Sequence, residues 1–316
     1  MNQVKTIAVV GATGAQGGGL ARAILADREG GYRLRAITRN VDSDKARALG
    51  DAGAELVSAN LDDEASLVDA LKGVDSAFFV TNFWEHFSPE KELAQAGNLA
   101  RAAKAAGVKH VVWSTLEDTR KRVPLDDDRM PTLQGKYKVP HFDAKGEADA
   151  LFAQAGVPTT YLLTSFYWDN LVHFGMGPKP GPDGTLQFVL PMDDAKMPAI
   201  AAEDIGQVAY AILKDRDAYV GKTVAIAGEH LNGREMASAL SDALGREVKH
   251  AAVSPAEFRS YGFPGADDLG HMFQYYRDFE DEFRAKRDVD ATRRLHPKLQ
   301  SFSEWLGKNA ALIPLA

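Results

Sequence analysis

One turn constrains this chain more than any other stretch: Gly11-Ala-Thr-Gly14-Ala-Gln-Gly17-Gly18-Gly19. Thr6-Ile-Ala-Val-Val10 precedes it, a short apolar run rich in β-branched residues. Leu20-Ala-Arg-Ala-Ile-Leu25 comes after it, with helix formers at helical spacing. Strand, glycine turn, helix is the setting in which such glycines read as a phosphate-binding turn. Gly11 allows the tight exit from the strand. Gly14 removes a side chain where backbone must approach a pyrophosphate, and Gly17 lets the helix pack close to the sheet. The start of that helix offers free N–H groups and partial positive charge to the phosphates. The spacing is GxxGxxG rather than GxGxxG, so the turn draws its weight from the rest of the chain. The bland alternative is a glycine-rich connection with no ligand.

Strands then alternate with helices. The second strand, Arg33 to Thr38, ends at Arg39-Asn40. An acidic residue at this place would accept from a ribose 2′-hydroxyl; Arg39 suits a 2′-phosphate instead, which favours NADP(H) over NAD(H). The bland alternative is a solvated strand-end arginine. Asp42 and Asp44 oppose the phosphate reading, and Lys45 adds a second positive charge. A helix is expected over 42–52 and a third strand at 54–58. Asn60-Leu61-Asp62-Asp63 leads into the next helix, with Asp62 or Asp63 as its cap. A fourth strand, 74–80, opens at its carboxyl end into Thr81-Asn-Phe-Trp84, where ligands bind in open parallel sheets. A long helix over 89–106 precedes a fifth strand, 109–113, that runs into Ser114-Thr115. The polar stretch 117–140 reads as mostly surface loop, and a helix begins at His141. A sixth strand, 159–163, leads into Thr164-Ser-Phe166-Tyr-Trp-Asp169.

This alternation predicts an α/β fold, a Rossmann-type doubly wound parallel sheet with a smaller C-terminal α+β lobe. The expected division is a dinucleotide-binding domain over 1–170 and, over 171–316, mainly a substrate or partner lobe. Some segments of that second part return to the first domain. Beyond residue 171 the pattern turns irregular. A glycine- and proline-rich stretch over 175–184 gives way to an amphipathic helix over 202–213, a strand over 223–227, and a helix over 232–244 that Asn232 caps.

Composition removes several classes of function. The net charge of −7 gives no domain-wide basic footprint for nucleic acid. With no cysteine there is no disulfide, thiol nucleophile or thiolate metal site. The histidines lack HxxxH or HExxH spacing, so no metal site is expected. No apolar run reaches the ~18 residues that span a membrane. No leader-like segment precedes the first strand, so a cytoplasmic protein is expected. Gly221-Lys-Thr223 is no P-loop, since Arg216 stands where that motif needs glycine. Arg284 to Arg287 and Arg293-Arg294 sit among acids and read as a solvated helix face.

Five stretches in order resemble the NmrA-like family, atypical members of the short-chain dehydrogenase/reductase superfamily. They are Gly11 to Gly18, Thr38-Arg-Asn40, Val80-Thr-Asn-Phe-Trp-Glu85, His141-Phe-Asp-Ala-Lys145-Gly-Glu147, and Phe263-Pro-Gly-Ala266 through Met272-Phe273. Together they are similar to the redox-sensor branch, which binds NADP(H) and includes a human regulatory protein. The resemblance implies cofactor contacts at Gly11, Ala12, Thr13, Gly14, Ala15, Gln16 and Gly17, and at Arg39, Lys45, Asn60 and Leu61. It also implies them at Val80, Thr81, Asn82 and Lys145, and at Phe166, Tyr167, Trp168 and Asp169. The spacing of Lys45 after Arg39 differs from the family pattern, and Leu163 stands where relatives tend to carry arginine.

Enzymes of the superfamily use a serine and a YxxxK pair, with tyrosine and lysine on one helix face. Here Lys145 is kept, His141 occupies the tyrosine position and Ser114 remains. These three are the candidate catalytic residues. Tyr137 lies a turn further back, but Pro140 separates it from that face. The first functional expectation is a dinucleotide sensor that passes its state to a regulatory protein partner. The second is an NADPH-dependent reductase of a small carbonyl, quinone or enone, with the proton coming from Lys145, His141 or a water. In the bland alternative His141 only opens its helix and Lys145 only binds ribose.

Overall fold

The computed structural model describes residues 4–315. In chain order it begins with β1 (Lys5–Val10), α1 (Ala15–Ala26), β2 (Tyr32–Thr38), α2 (Asp44–Asp51), β3 (Glu55–Ser58) and α3 (Glu64–Ala70). Next come β4 (Ser76–Phe79), α4 (Pro89–Ala106), β5 (His110–Thr115), α5 (Pro140–Ala155), β6 (Thr159–Leu163) and β7 (Phe166–Tyr167). Beyond these lie α6 (Asn170–His173), β8 (Lys179–Pro180), β9 (Leu186–Val189), β10 (Met197–Ile200), α7 (Ala202–Lys214), α8 (Arg216–Tyr219) and β11 (Thr223–Ala225). The last are β12 (Glu229–Leu231), α9 (Gly233–Leu244), β13 (Val248–Ala251), α10 (Pro255–Ser260), α11 (Ala266–Asp278), α12 (Glu280–Lys286), α13 (Val289–Leu295) and α14 (Phe302–Asn309).

The chain forms two compact units. The first takes the residues up to Asp118, then Pro140–Thr164 and Glu203–Val224; the second takes Thr119–Val139, Ser165–Ala202 and the residues from Ala225 on. The first unit is built on a seven-stranded sheet in the order β11-β6-β5-β4-β1-β2-β3. The pairings from β3 to β6 are all parallel. This is the Rossmann strand order with one strand added at the edge, and it reverses between β1 and β4. Such a sheet is covered on both faces, so its central strands read as continuous apolar runs. Every residue of β4 and β5 is accordingly buried. Phe79, Trp113 and Phe152 belong to one core cluster with the alanines of α4. Pro89 opens that helix behind the Ser88 cap, and Gly107 closes it in the left-handed conformation.

Helix α1 starts at Ala15, earlier than the apolar spacing suggests, so Gly17, Gly18 and Gly19 lie inside it. Close packing explains why a helix accepts three glycines. A Cβ on Gly17 would sit 2.3 Å from the Gly11 carbonyl oxygen, and one on Gly19 would sit 2.6 Å from that of Glu203. On the opposing helix α7, a Cβ on Gly206 would fall 2.1 Å from the Leu20 nitrogen. The α1–α7 crossing is therefore backbone against backbone.

The second unit holds two three-stranded sheets, β12-β10-β7 and β13-β9-β8, packed with helices. Its aromatic residues are largely core: Trp168 packs on Phe302 at 5.4 Å, and Tyr276 on Phe283 at 4.3 Å. The stretch expected as surface loop is different in kind. Val123, Met130, Tyr137, Lys138 and Val139 within it are buried. The Lys138 ammonium organises the segment by donating to the carbonyls of Leu125, Asp127 and Met130 at 3.1, 2.9 and 2.6 Å. A lysine that meets three backbone acceptors can be buried, which composition alone does not reveal. Among the described residues no helix is long and apolar enough to cross a membrane.

Candidate cofactor and catalytic site

The glycine turn lies at the carboxyl end of β1, beside the reversal of strand order. Gly11 has φ of 71°, and Val80 packs against the place where its Cβ would be, 3.2 Å away. Both features require glycine. The Gly14 N–H donates to the Gly11 carbonyl at 2.9 Å. Gly14 then caps α1 without any side chain covering the first turn. Ala12 is buried and Thr13 half-buried, whereas Gly14 and Ala15 are exposed. An uncapped helix start with exposed small residues is a ready anion cradle. Gln16 is buried and accepts a hydrogen bond from the Ser114 hydroxyl at 2.8 Å, which ties the turn to the end of β5.

Arg39 leaves the end of β2 and pairs with Glu85 at 2.9 Å; its side chain is 67% exposed. The Glu85 carboxylate also accepts from the Asn82 amide at 3.1 Å. Asp44 turns to Arg47 at 2.6 Å rather than to Arg39. Lys45 is exposed on the first turn of α2. Asn60 is exposed, and its side chain accepts from the Asp62 N–H at 3.0 Å. The Leu61 carbonyl accepts from Asn98 at 2.8 Å. Asp63 is the residue that caps α3. Asp62 instead meets Gln95 at 2.9 Å, and that hydrogen bond holds its carboxyl below the usual range.

At the ends of β4 and β5 a buried polar cluster takes over. Helix α5 begins at Pro140 and carries His141 and Lys145 one turn apart on one face. The Lys145 ammonium donates to the Thr81 carbonyl at 3.2 Å, to the Thr81 hydroxyl at 2.8 Å and to Glu92 at 2.5 Å. The Thr81 hydroxyl in turn donates to the same Glu92 oxygen. Glu92 is fully buried and the Lys145 side chain is 11% exposed. Lys145 also stands over the Trp113 ring at 5.5 Å, while its carbonyl accepts from Thr115 at 3.1 Å. His141 is buried, with its ring centre 4.8 Å from those of Trp84 and Phe142 and 6.0 Å from that of Phe83. Behind Glu92 stands His86, whose Nε2 lies 3.6 Å from the second carboxylate oxygen. Burial pushes the His86 ring below its ordinary pKa. Glu92, Glu85 and Asp62 pull it back up, while Lys91 pushes it further down.

Tyr137 is fully buried outside α5, in a bridge with Leu133, and so does not share the face of Lys145. Phe166, Tyr167, Trp168 and Asp169 belong to the second unit. Phe166 packs on Phe273 at 5.9 Å, and Trp168 is almost fully buried. Asp169 accepts from the Ala202 N–H at 2.8 Å. Tyr167 is half-buried.

Sequence reasoning missed Glu92, His86 and Gly206, and it gave Gly19 no role of its own. A signal existed for Glu92: it falls on the buried stripe of α4 with Pro89, Ala96, Leu99 and Ala103. A glutamate on an apolar stripe demands a buried partner.

The fold is a glycine-turn Rossmann sheet that carries a histidine and a lysine on the helix after β5. The chain belongs to the NmrA-like family, whose model matches residues 3–306. It is 28% identical over 288 residues to the NmrA-like family domain-containing oxidoreductase FrzB of a Cladobotryum species, covering 85% of this chain and 83% of that one. It is 29% identical over 249 residues to an NAD(P)H azoreductase of Xenophilus azovorans, covering 78% and 77%. Among solved structures, NmrA, a negative transcriptional regulator crystallised with NAD, superposes with a TM-score of 0.80 at 25% identity, covering 98% and 97%.

Proposed function

We propose that the protein is an NADPH-dependent reductase of a small conjugated acceptor, a quinone, enone or carbonyl compound. The observation that carries this reading is the pairing, on one face of α5, of a histidine lodged among aromatic rings with a buried lysine. The first unit fits the dinucleotide. The glycine turn leaves the Gly14 and Ala15 backbone exposed for a pyrophosphate to approach, and the uncapped first turn of α1 supplies donors. Arg39 takes the 2′-phosphate by exchanging Glu85 for it. Asn60, Leu61, Val80 and Asn82 line the adenosine side, with Lys45 adding charge at its edge. Lys145 and Thr81 hold the nicotinamide ribose, with Ser114 and Gln16 beside them.

When bound, NADPH supplies a hydride. Lys145 is held by Thr81 and Glu92, and a ribose hydroxyl would replace the longest of its three contacts, the one to the Thr81 carbonyl at 3.2 Å; proton delivery is assigned to His141. Imidazole is the side chain best suited to that task near neutral pH. Phe83, Trp84 and Phe142 around it favour a flat, apolar acceptor. The azoreductase relative supports acceptors of this kind.

The test is NADPH consumption with a panel of quinones, enones and azo compounds at saturating cofactor. The expected result is oxidation that depends on the acceptor and falls about a hundredfold in His141→Ala, as loss of a general acid does. A sensing role draws on the likeness to NmrA and on the missing tyrosine. It would appear as tight NADP(H) binding with no acceptor-dependent oxidation by the wild type, and that result would displace the reductase reading.

A further inference from the structure

Glu92 is fully buried, and only one of its carboxylate oxygens is fully used. Oε1 accepts from Lys145 and from Thr81, whereas Oε2 has no hydrogen-bond partner among the described residues. His86 Nε2, also buried and also without a hydrogen-bond partner, faces that oxygen at 3.6 Å. The ring's other nitrogen is committed. His86 Nδ1 accepts from the Ser88 backbone N–H at 3.1 Å, so the proton of the neutral ring sits on Nε2 and points toward Glu92. Two buried groups with complementary roles therefore stand about one small displacement short of a hydrogen bond. Leaving both unmade is costly, so the arrangement calls for a reason.

We infer that Glu92 is a positioning residue of the proposed reductase, anchoring the Lys145 ammonium at the end of β4, with His86 as a second, protonatable partner behind it. The inference rests on the reductase reading for its catalytic consequence, though its geometry does not. Lys145 sits on α5, Thr81 at the end of β4, and Glu92 in the first turns of α4. The three elements meet at one ammonium, and a carboxylate in that place fixes where the lysine can present itself to a ribose. A lysine on a flexible stem loses much of its value if its head wanders, because a misplacement of about 1 Å costs roughly a hundredfold in rate. His86 makes the anchor adjustable. Its second proton must go on Nδ1 and break the hydrogen bond from the Ser88 N–H, and the charged ring then draws on the free oxygen of Glu92 as a competing cation. The charged groups facing the ring are Glu92 and Lys91 of α4, Glu85 of its own turn and Asp62 before α3.

The experiment is a double-mutant cycle with Glu92→Gln, Lys145→Met and both together, read by NADPH titration and, with an acceptor, by kcat and KM across pH 5–8. Glu92→Gln is expected to weaken NADPH binding by about tenfold and to lower kcat more than it raises KM. With Lys145 already removed, the Glu92 substitution should change binding by less than twofold, because its effect passes through the lysine. Equal, additive losses in both backgrounds would reduce Glu92 to a packing residue and overturn the inference. Because a lone buried ammonium can unfold the single mutant, a milder arm tracks the His86 ring by NMR through a pH titration. In Glu92→Asp, with a shorter reach but the same charge, the ring should titrate at lower pH than in the wild type. An unmoved His86 titration would overturn the inference. His86→Gln should flatten the acid limb of kcat while leaving NADPH binding at pH 8 within about twofold; an acid limb that persists would count against His86. The binding cycle and the NMR titration need no turnover. If the wild type reduces no acceptor while the cycle is non-additive, the reductase reading fails and the anchor stands. If the wild type turns over while the cycle is additive, the reverse holds.

Discussion

Around Gly11 and Gly14 the protein offers backbone; around Glu92 and Lys145, at the ends of the next two strands β4 and β5, it offers side chains. The glycine cradle is open, with Gly14, Ala15 and Arg39 exposed. The polar cluster is closed, with Glu92, Thr81 and Lys145 nearly removed from water. In the first region geometry comes from what is missing, a Cβ at each glycine. In the second it comes from charges that must satisfy one another because water cannot. A backbone site tolerates a change of neighbouring side chains but not an added methyl. A side-chain cluster tolerates neither the loss of a partner nor a change of its charge.

The harshest way to break this contrast is Gly17→Ala. Its Cβ would lie 2.3 Å from the Gly11 oxygen and 2.7 Å from the Gly11 carbonyl carbon, both backbone atoms that cannot rotate aside. A loss of about 3 kcal/mol in urea unfolding is expected, at the upper end for overpacking, together with loss of NADPH binding. Gly206→Ala, with its Cβ 2.1 Å from the Leu20 nitrogen, should lose comparable stability through the α1–α7 crossing. A stable Gly17→Ala that still binds would mean that the cradle is not built by the missing Cβ.

The same contrast explains what the sequence made readable. Period and punctuation exposed the sheet, the glycine turn, α4 from Pro89 to Ala106 and, to within the pair Asp62-Asp63, the cap of α3, because each depends on local chemistry. Arg39, Ser114, His141 and Lys145 were visible as residue types at strand ends and on one helix face. Their partners were not. Glu85 reaches Arg39 across 46 positions, and Glu92 reaches Lys145 across 53. Nothing local marks either pairing. The stretch 117–140 misled for a different reason: Lys138 looks solvated until the segment folds back on itself and three of its own carbonyls close on the ammonium.

A second buried histidine sharpens the comparison, because it titrates without touching the proposed site. His110, at the start of β5, is fully buried; its Nε2 meets the Thr160 hydroxyl at 2.8 Å and its Nδ1 has no partner. Thr160 donates its own proton to the Tyr219 carbonyl at 2.8 Å, so it accepts from His110. A second proton on the ring would therefore have no acceptor. Burial first, and then the Arg216 charge, lower its pKa to about 4. The unfolded ring binds a proton near pH 6.5, so between these values the unfolded state holds more protons. Stability is complete above about pH 6.5 and falls as the pH drops toward 4, by about 2 kcal/mol between pH 8 and pH 5. Urea melts across that range check it, and His110→Gln should flatten the profile. If the flattened variant keeps an acid limb in kcat, that limb belongs to the proposed site and not to the fold, and His86→Gln then tests its assignment.

On the open side, Arg39→Ala should weaken NADPH by about 1.5 kcal/mol, roughly tenfold, and leave NADH within about twofold. Titrations of the two dinucleotides side by side decide it. Equal losses for both would assign Arg39 to the adenine rather than to the 2′-phosphate.

The smallest effect is the most specific to the open region. Glu85 occupies Arg39 and Asn82 at once, so a 2′-phosphate must displace a carboxylate before it can bind the guanidinium. Both partners are largely exposed, and such a pair contributes about 0.2–1 kcal/mol. Glu85→Gln removes the competing charge and keeps the shape. NADPH should then bind about two- to threefold more tightly, with the gain shrinking as salt rises, because the pair it relieves is already screened. NADH, which carries no 2′-phosphate, should not respond. The matching substitution in the closed cluster, Glu92→Gln, is expected to weaken binding. Neutralising a glutamate thus helps the ligand where the acid competes with it and harms the ligand where the acid holds its lysine.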